Sequence, residues 1–292
     1  MKALSPIVRR PSFEFPEDIS AHWIPGNIEF AQMANGASLV MPYLEPFLMR
    51  SLREGLEQVT DPQLKADGLA FIAQEGQHFR AHQRYNERLK AQGYSELAQI
   101  EAEMQQRYAR LDRCSLRTRL AYTAGFESMT LGLTKWLVTD RVALFSGADT
   151  RVASLVLWHM VEETEHKCVA FDVYQAVYGQ YLPRALGVFH GALDVMRYSV
   201  RGYRALLRKD GLWSQWRSRL RLARQLLRFL RHTGPYLFRA AMPGHNPRDE
   251  DDPQWVRDWI SGYGRRSEDA PPPLLDTLHP QIPVPFAFNS HE

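Results

Sequence analysis

Two Glu-x-x-His units, Glu75 to His78 and Glu163 to His166, lie in strongly helical stretches, and a lone glutamate precedes each, Glu45 and Glu127. Residues i and i+3 of an α-helix project from one face, so each unit offers a carboxylate and an imidazole to the same point. Two such units face to face, completed by one glutamate from each of two further helices, make a cage for two metal ions. A single Glu-x-x-His is weak, because the ten histidines of a 292-residue chain produce one by chance. Two copies, each downstream of a glutamate, carry more. Roughly 30 residues separate Glu45 from Glu75 and roughly 36 separate Glu127 from Glu163, about one long helix, a turn and part of an antiparallel neighbour. The bland alternative is a set of core or surface carboxylates satisfied without metal.

The segment WHMVEETEHKCVAFDVY is the most distinctive of the chain. At about 100° per residue, His159, Glu163 and His166 share roughly 60° of arc, while Glu165 falls on the opposite side and is expected in solvent. Glu162, at the edge of that arc, is expected either to accept an imidazole N–H from behind a ligand or to be a surface charge. Glu162 and Tyr174 are the candidates for catalytic support around the ligands. In the other unit His82 falls between Glu75 and His78 in angle, one turn further on. His159 and His82 are therefore extra candidate ligands, each with the alternative of a core histidine held by a hydrogen bond.

These residues need four long helices to position them. Residues 1–27 are Pro-rich and aperiodic and read as an arm wrapped on the domain or partly disordered. The first bundle helix is expected from about Asn27 to Val59, kinked beside Glu45 by Pro42 and Pro46. The second begins after Thr60-Asp61-Pro62, with an Asp or Thr cap, and ends near Gly93. Residues 95–111 are polar and helix-favouring and suit an exposed crossover. The third helix, about 116–146, surrounds Glu127 with Phe126, Met129, Leu131 and Leu133, and a carboxylate so placed needs a partner. The fourth is expected over about 149–179. The reading divides the chain into an arm (1–27), a metal-binding bundle (28–180), an appended basic helical segment (181–262) and an extended tail (263–292).

Composition bounds the remainder. With 45% hydrophobic residues the chain can bury one substantial core. Its two cysteines, Cys114 and Cys168, form no Cys-x-x-Cys, which argues against a disulfide framework or a thiolate zinc site and suits a reducing cytoplasm. No apolar run approaches the roughly 18 to 20 residues of a membrane span, and the first residues lack a secretory apolar core. From Arg197 to Arg239 there are twelve Lys or Arg against one acid, Asp210. There Trp216, Leu220, Ala223, Leu227 and Leu230 recur at helical spacing among arginines, the pattern of a basic amphipathic helix on an anionic membrane. The alternative is an apolar stripe packed on the bundle, its arginines solvated or paired with Asp249 to Asp252. Nucleic acid is disfavoured, because no recognised nucleic-acid module is present.

At WHMVEETEHKCVAFDVY and the upstream EGQHFRAH, the chain resembles the bacterial family of predicted metal-dependent hydrolases, itself similar to ferritin-like di-iron proteins; the resemblance spans roughly residues 15 to 260. It implies a site of Glu45, Glu75, His78, Glu127, Glu163 and His166. Separately, His159-x-x-x-Glu163-x-x-His166 is similar to the fourth-helix motif of di-iron arylamine N-oxygenases, in which the first histidine is an additional iron ligand. The fold expected is all-α: a ferritin-like four-helix bundle with a long crossover and additional C-terminal helices.

Carboxylates with imidazoles suit two iron ions, with manganese as a substitute and zinc if the reaction is hydrolytic. The preferred expectation is an O2-dependent oxidase or oxygenase acting on a small, lipophilic substrate with an electron donor of unread identity. The alternative is hydrolysis of an ester or phosphoester by an acidified metal-bound water. A third reading is a metal-handling protein without turnover. Further expected partners are an anionic membrane touched by residues 197–239 and a second copy of the chain as a homodimer.

Overall fold

Proline placement and capping residues divide the chain into helices. The computed structural model describes residues 4–263 and 274–279, which are all-helical apart from turns and extended segments. The expected first helix is two, α1 (Ile28–Ser38) and α2 (Met41–Leu56), broken at Leu39–Val40 ahead of Pro42. Pro42 sits in the first turn of α2, where its missing N–H has no intrahelical partner to lose. Pro46 lies inside α2, directly after Glu45. Asp61 caps α3 (Pro62–Ala91), its side chain accepting from the Gln63 and Leu64 amides. The crossover is α4 (Glu96–Leu111). It is amphipathic rather than fully exposed, with Leu97, Ile100, Met104, Tyr108 and Leu111 buried.

The third expected helix ends early. α5 (Leu116–Thr139) stops at Asp140, which accepts the Trp136 indole N–H at 3.1 Å, and a short α6 (Arg141–Phe145) follows. The fourth is also two helices, α7 (Thr150–His166) and α8 (Val169–Val177), parted directly after the last Glu-x-x-His residue. α9 (Tyr181–Lys209) and α10 (Trp216–Ala241) form a long hairpin, and α11 (Gln254–Tyr263) follows a short 3-10 turn. Helix α2 packs on α3 and α5, and α7 packs on α3 and α5, so the four helices carrying the motif residues close a ring. That arrangement is compatible with a ferritin-like bundle.

Helix α9 lies along both α5 and α1, drawn in by glycines. A Cβ on Gly187 would sit 2.0 Å from the Ala121 carbonyl oxygen, and one on Gly36 would sit 2.6 Å from that of Ser199. The backbones therefore touch at two levels of α9, a spacing that only residues without a side chain permit.

The N-terminal arm is ordered against the bundle over residues 4–27, with Phe13, Ile19, Trp23 and Ile24 buried. Most of the expected tail falls outside the described residues. Its segment 274–279 buries Leu275 and Thr277 beside α7, where the Leu275 amide donates to Ser154 Oγ at 2.5 Å. On α10 the apolar stripe does not pack on the bundle: Trp216, Leu220, Leu227 and Leu230 are exposed, whereas Leu222, Gln225, Thr233, Tyr236 and Ala240 face inward. No helix among the described residues is long and apolar enough to cross a membrane.

Candidate metal centre

The four helices bring both Glu-x-x-His units and both lone glutamates to one place in the interior. Glu45 from α2, Glu75 and His78 from α3, Glu127 from α5, and Glu163 and His166 from α7 are each at most 2% exposed. His159, one helical turn before Glu163, joins them. The donor atoms form three overlapping groups, each within 4.8 Å: Glu45 with His78 and His159; Glu75 with His78 and Glu163; and Glu75 with Glu127 and His166. His166 Nε2 stands 3.3 Å from Glu75, 3.4 Å from Glu127 and 3.5 Å from Glu163. His159 Nε2 stands 2.9 Å from Glu163 and 3.7 Å from Glu45.

Among the described residues, both carboxylate oxygens of Glu45, Glu75 and Glu127, together with Glu163 Oε2, His78 Nδ1 and His166 Nε2, are buried without a hydrogen-bond partner. Burying one such group unpaired costs on the order of 1 to 3 kcal/mol, and more if charged. So many oriented onto one point fit a cation held between them.

The far side of each imidazole is tied down, which fixes which nitrogen faces the centre. His166 Nδ1 meets Gln74 Oε1 at 2.9 Å, and the Gln74 amide donates to Glu165 at 2.8 Å. His78 Nε2 meets Glu162 Oε2 at 3.0 Å, and Glu162 also accepts the Trp158 indole N–H at 3.0 Å. His159 Nδ1 meets His82 Nε2 at 2.8 Å, and His82 Nδ1 meets Ser38 Oγ at 2.8 Å. Ser38 donates its hydroxyl proton to Asn86 Oδ1, so it accepts from His82 Nδ1–H. A neutral His82 then offers a bare Nε2 to His159 Nδ1–H, and His159 presents its own bare Nε2 to the glutamates.

His82 thus stands behind His159 rather than among the clustered donors. Glu162 lies behind His78 and is fully buried, so it is not the surface charge that was its alternative. Tyr174 follows the break between α7 and α8, packs in an apolar cluster with Leu52 and Phe71, and donates its hydroxyl to the Gln180 carbonyl at 2.8 Å. Glu165, expected in solvent, is 2% exposed, because the N-terminal arm crosses the outer face of α7. There the Arg9 guanidinium bonds Glu165 at 2.6 and 2.8 Å and Glu162 at 2.9 Å. Neither Arg9 nor Gln74 carried a sequence signal, one lying in an aperiodic arm and the other being one more polar residue on a polar helix.

Burial and the neighbouring glutamates push the Glu45 and Glu127 carboxyls well above the ordinary range. Burial acts the same way on Glu163, but the His166 charge and the His159 imidazole beside it hold it well below. Burial disfavours charge on His78, yet its bond to Glu162 and the nearby Glu75 carboxylate raise it to about 10, and Glu163 and Glu127 raise His166 well above its usual value. His82 and His159 are lowered by burial and by neighbouring histidines, in keeping with the neutral relay just described.

The model of a family described as predicted metal-dependent hydrolase matches residues 7–251. The chain belongs to that family. Comparison with curated proteins and with solved structures finds no match. The matched span contains every donor named above and begins within the arm that carries Arg9.

Beside the centre lies a cavity of about 390 Å³. Its wall is largely apolar, with Met41, Phe126, Met129, Leu133 and Val195 among its residues, and the imidazoles of His82 and His159 reach it from the metal side. The size is that of a small-molecule pocket.

Proposed function

We propose that this protein is a dinuclear metal-dependent hydrolase whose substrate carries an apolar group held in the cavity next to His159. The observation that carries this reading is the convergence of unpartnered donors on a centre that abuts an apolar cavity. Glu45, His78 and His159 would hold one ion, Glu75, Glu127 and His166 the other, with Glu163 reaching both. Bound there, divalent metals such as zinc or manganese would polarise a carbonyl or phosphoryl oxygen and acidify a water.

The chain's own groups do the rest. The apolar wall orients the substrate's hydrocarbon part and excludes bulk water. Glu162 and Gln74 keep His78 and His166 in one tautomer, so that each aims a lone pair inward. The Ser38–His82 pair holds His159 in the tautomer that turns its Nε2 towards the other donors.

A second reading, O2-dependent oxidation with two iron ions, is favoured by the cavity wall itself. It offers few polar groups beyond the two imidazoles to orient an ester or phosphate. One experiment separates the two. Protein stripped of metal is reloaded with Zn(II), Mn(II) or anaerobic Fe(II), metals are counted, and each form is assayed on a series of acyl esters and for O2 uptake. Ester turnover by the zinc or manganese form supports hydrolysis. O2 consumption by the Fe(II) form without ester turnover replaces hydrolysis by oxidation, and failure to hold metal removes both.

A further inference from the structure

The α9–α10 hairpin presents an apolar face that the rest of the chain leaves uncovered. On α9, Leu182, Leu186, Phe189, Leu193 and Val200 are exposed and fall within roughly 60° of arc. On α10, Trp216, Leu220, Leu227, Leu230 and Phe238 are exposed within roughly 80°. The stripes lie side by side: the Phe189 and Phe238 rings meet at 6.1 Å, and Tyr181 donates to the Ala241 carbonyl at 3.0 Å. A monomer that leaves so continuous a face in water has a use for it.

Charge says what covers it. Arg219, Arg224 and Arg231 flank the α10 stripe, exposed and paired with no acidic side chain among the described residues, unlike Arg221 and Arg228, which meet Glu29 and Asp140. A second copy of this face would bring those cations against like charge, whereas anionic headgroups would neutralise them. The face is also continuous with the cavity, since Val200 and Leu230 are exposed and line it.

We propose that the hairpin docks the protein on an anionic membrane surface, its apolar stripes in the headgroup–acyl boundary, and that the substrate is a lipid-soluble molecule drawn from the bilayer between Val200 and Leu230. The substrate clause rests on the enzymatic reading above; the docking does not. Trp216, 64% exposed, enters the boundary with the stripe.

The test is flotation of the metal-loaded full chain with phosphatidylglycerol–phosphatidylcholine vesicles and with pure phosphatidylcholine, alongside tryptophan emission. The expected result is binding to the anionic vesicles, weakened by salt, with a blue shift that Trp216→Phe removes. Arg224→Glu with Arg231→Glu lowers partition by about tenfold or more. Leu220→Glu with Leu227→Glu abolishes binding and leaves metal content and circular dichroism unchanged. Absence of vesicle binding, or binding indifferent to these substitutions, overturns the docking. A dimer in solution that Leu220→Glu with Leu227→Glu splits would overturn it in favour of a second copy. Docking without turnover of any extracted lipid would leave the membrane face standing and refute the substrate.

Discussion

Replacing Arg9 by alanine tests whether the N-terminal arm is part of the centre's support. The guanidinium is 12% exposed and bridges two carboxylates, Glu162 and Glu165, whose side chains are at most 1% exposed. Removing one partner of a buried ion pair costs about 3 to 5 kcal/mol, because the other charge stays buried and uncompensated. Against a total stability of roughly 5 to 15 kcal/mol that is a large fraction. For a chain of this size it corresponds to a fall in Tm on the order of 10 °C. The second consequence is local. Glu162 would keep His78 and the Trp158 indole as partners but lose the cation that fixes it, so His78 would be held less firmly, and such supporting contacts are worth roughly 10- to 100-fold in metal affinity. The assay is urea unfolding of the metal-free form, followed by competition for Zn(II) against a chromophoric chelator. Arg9→Lys should recover part of the stability, since it restores charge without the two-pronged geometry. An Arg9→Ala protein with an unchanged midpoint and unchanged zinc affinity would refute the reasoning.

Glu163→Ala and His166→Ala should each abolish stoichiometric metal binding by elemental analysis while circular dichroism still reports a helical fold; retained metal in both would overturn the donor assignment. His159→Ala should lower metal content from two ions towards one as well as turnover, and full occupancy in the variant would show that His159 is not a ligand. Metal uptake at pH 7 should release protons, because Glu45 and Glu127 are raised above the carboxylate range and His78 to about 10. Binding therefore weakens as pH falls, and titration calorimetry in two buffers of different ionisation enthalpy should show the release. Gly187→Ala should lower thermal stability markedly, since its Cβ would meet the Ala121 carbonyl oxygen at 2.0 Å, and an unchanged melting curve would mean that α9 can shift. Leu133→Trp should fill part of the cavity and raise KM or abolish turnover with metal content intact.

The donor set was legible because helix periodicity is a local property: i and i+3 spacing placed Glu75 with His78 and Glu163 with His166 without knowledge of the tertiary fold. The helix breaks were less so. Pro42 and Pro46 announced a distortion, but the break at Leu39–Val40 and the one after His166 depend on how each helix end packs. Glu165 shows the limit of face arguments. Its helical angle turns it away from His166 and Glu163, yet that outer face is covered by an arm whose sequence has no period. His82 and His159 occupy similar angular positions beside their motifs, and what separates them is tertiary: Ser38 of α1 bonds His82, which stands behind His159.

The glycine contacts of α9 carry a mechanical consequence. Gly187 is pressed on α5 and Gly202 faces Gly36 of α1, and the cavity-lining stretch of α9 from Val195 to Val200 lies between these two points. A helix pinned at two points on a rigid backbone acts as a fixed jamb. Helix α10 brings Leu226, Phe229 and Leu230 to the same cavity and carries Pro235, which cannot donate the helical hydrogen bond, further along its course, so α10 is the wall on which the cavity can yield.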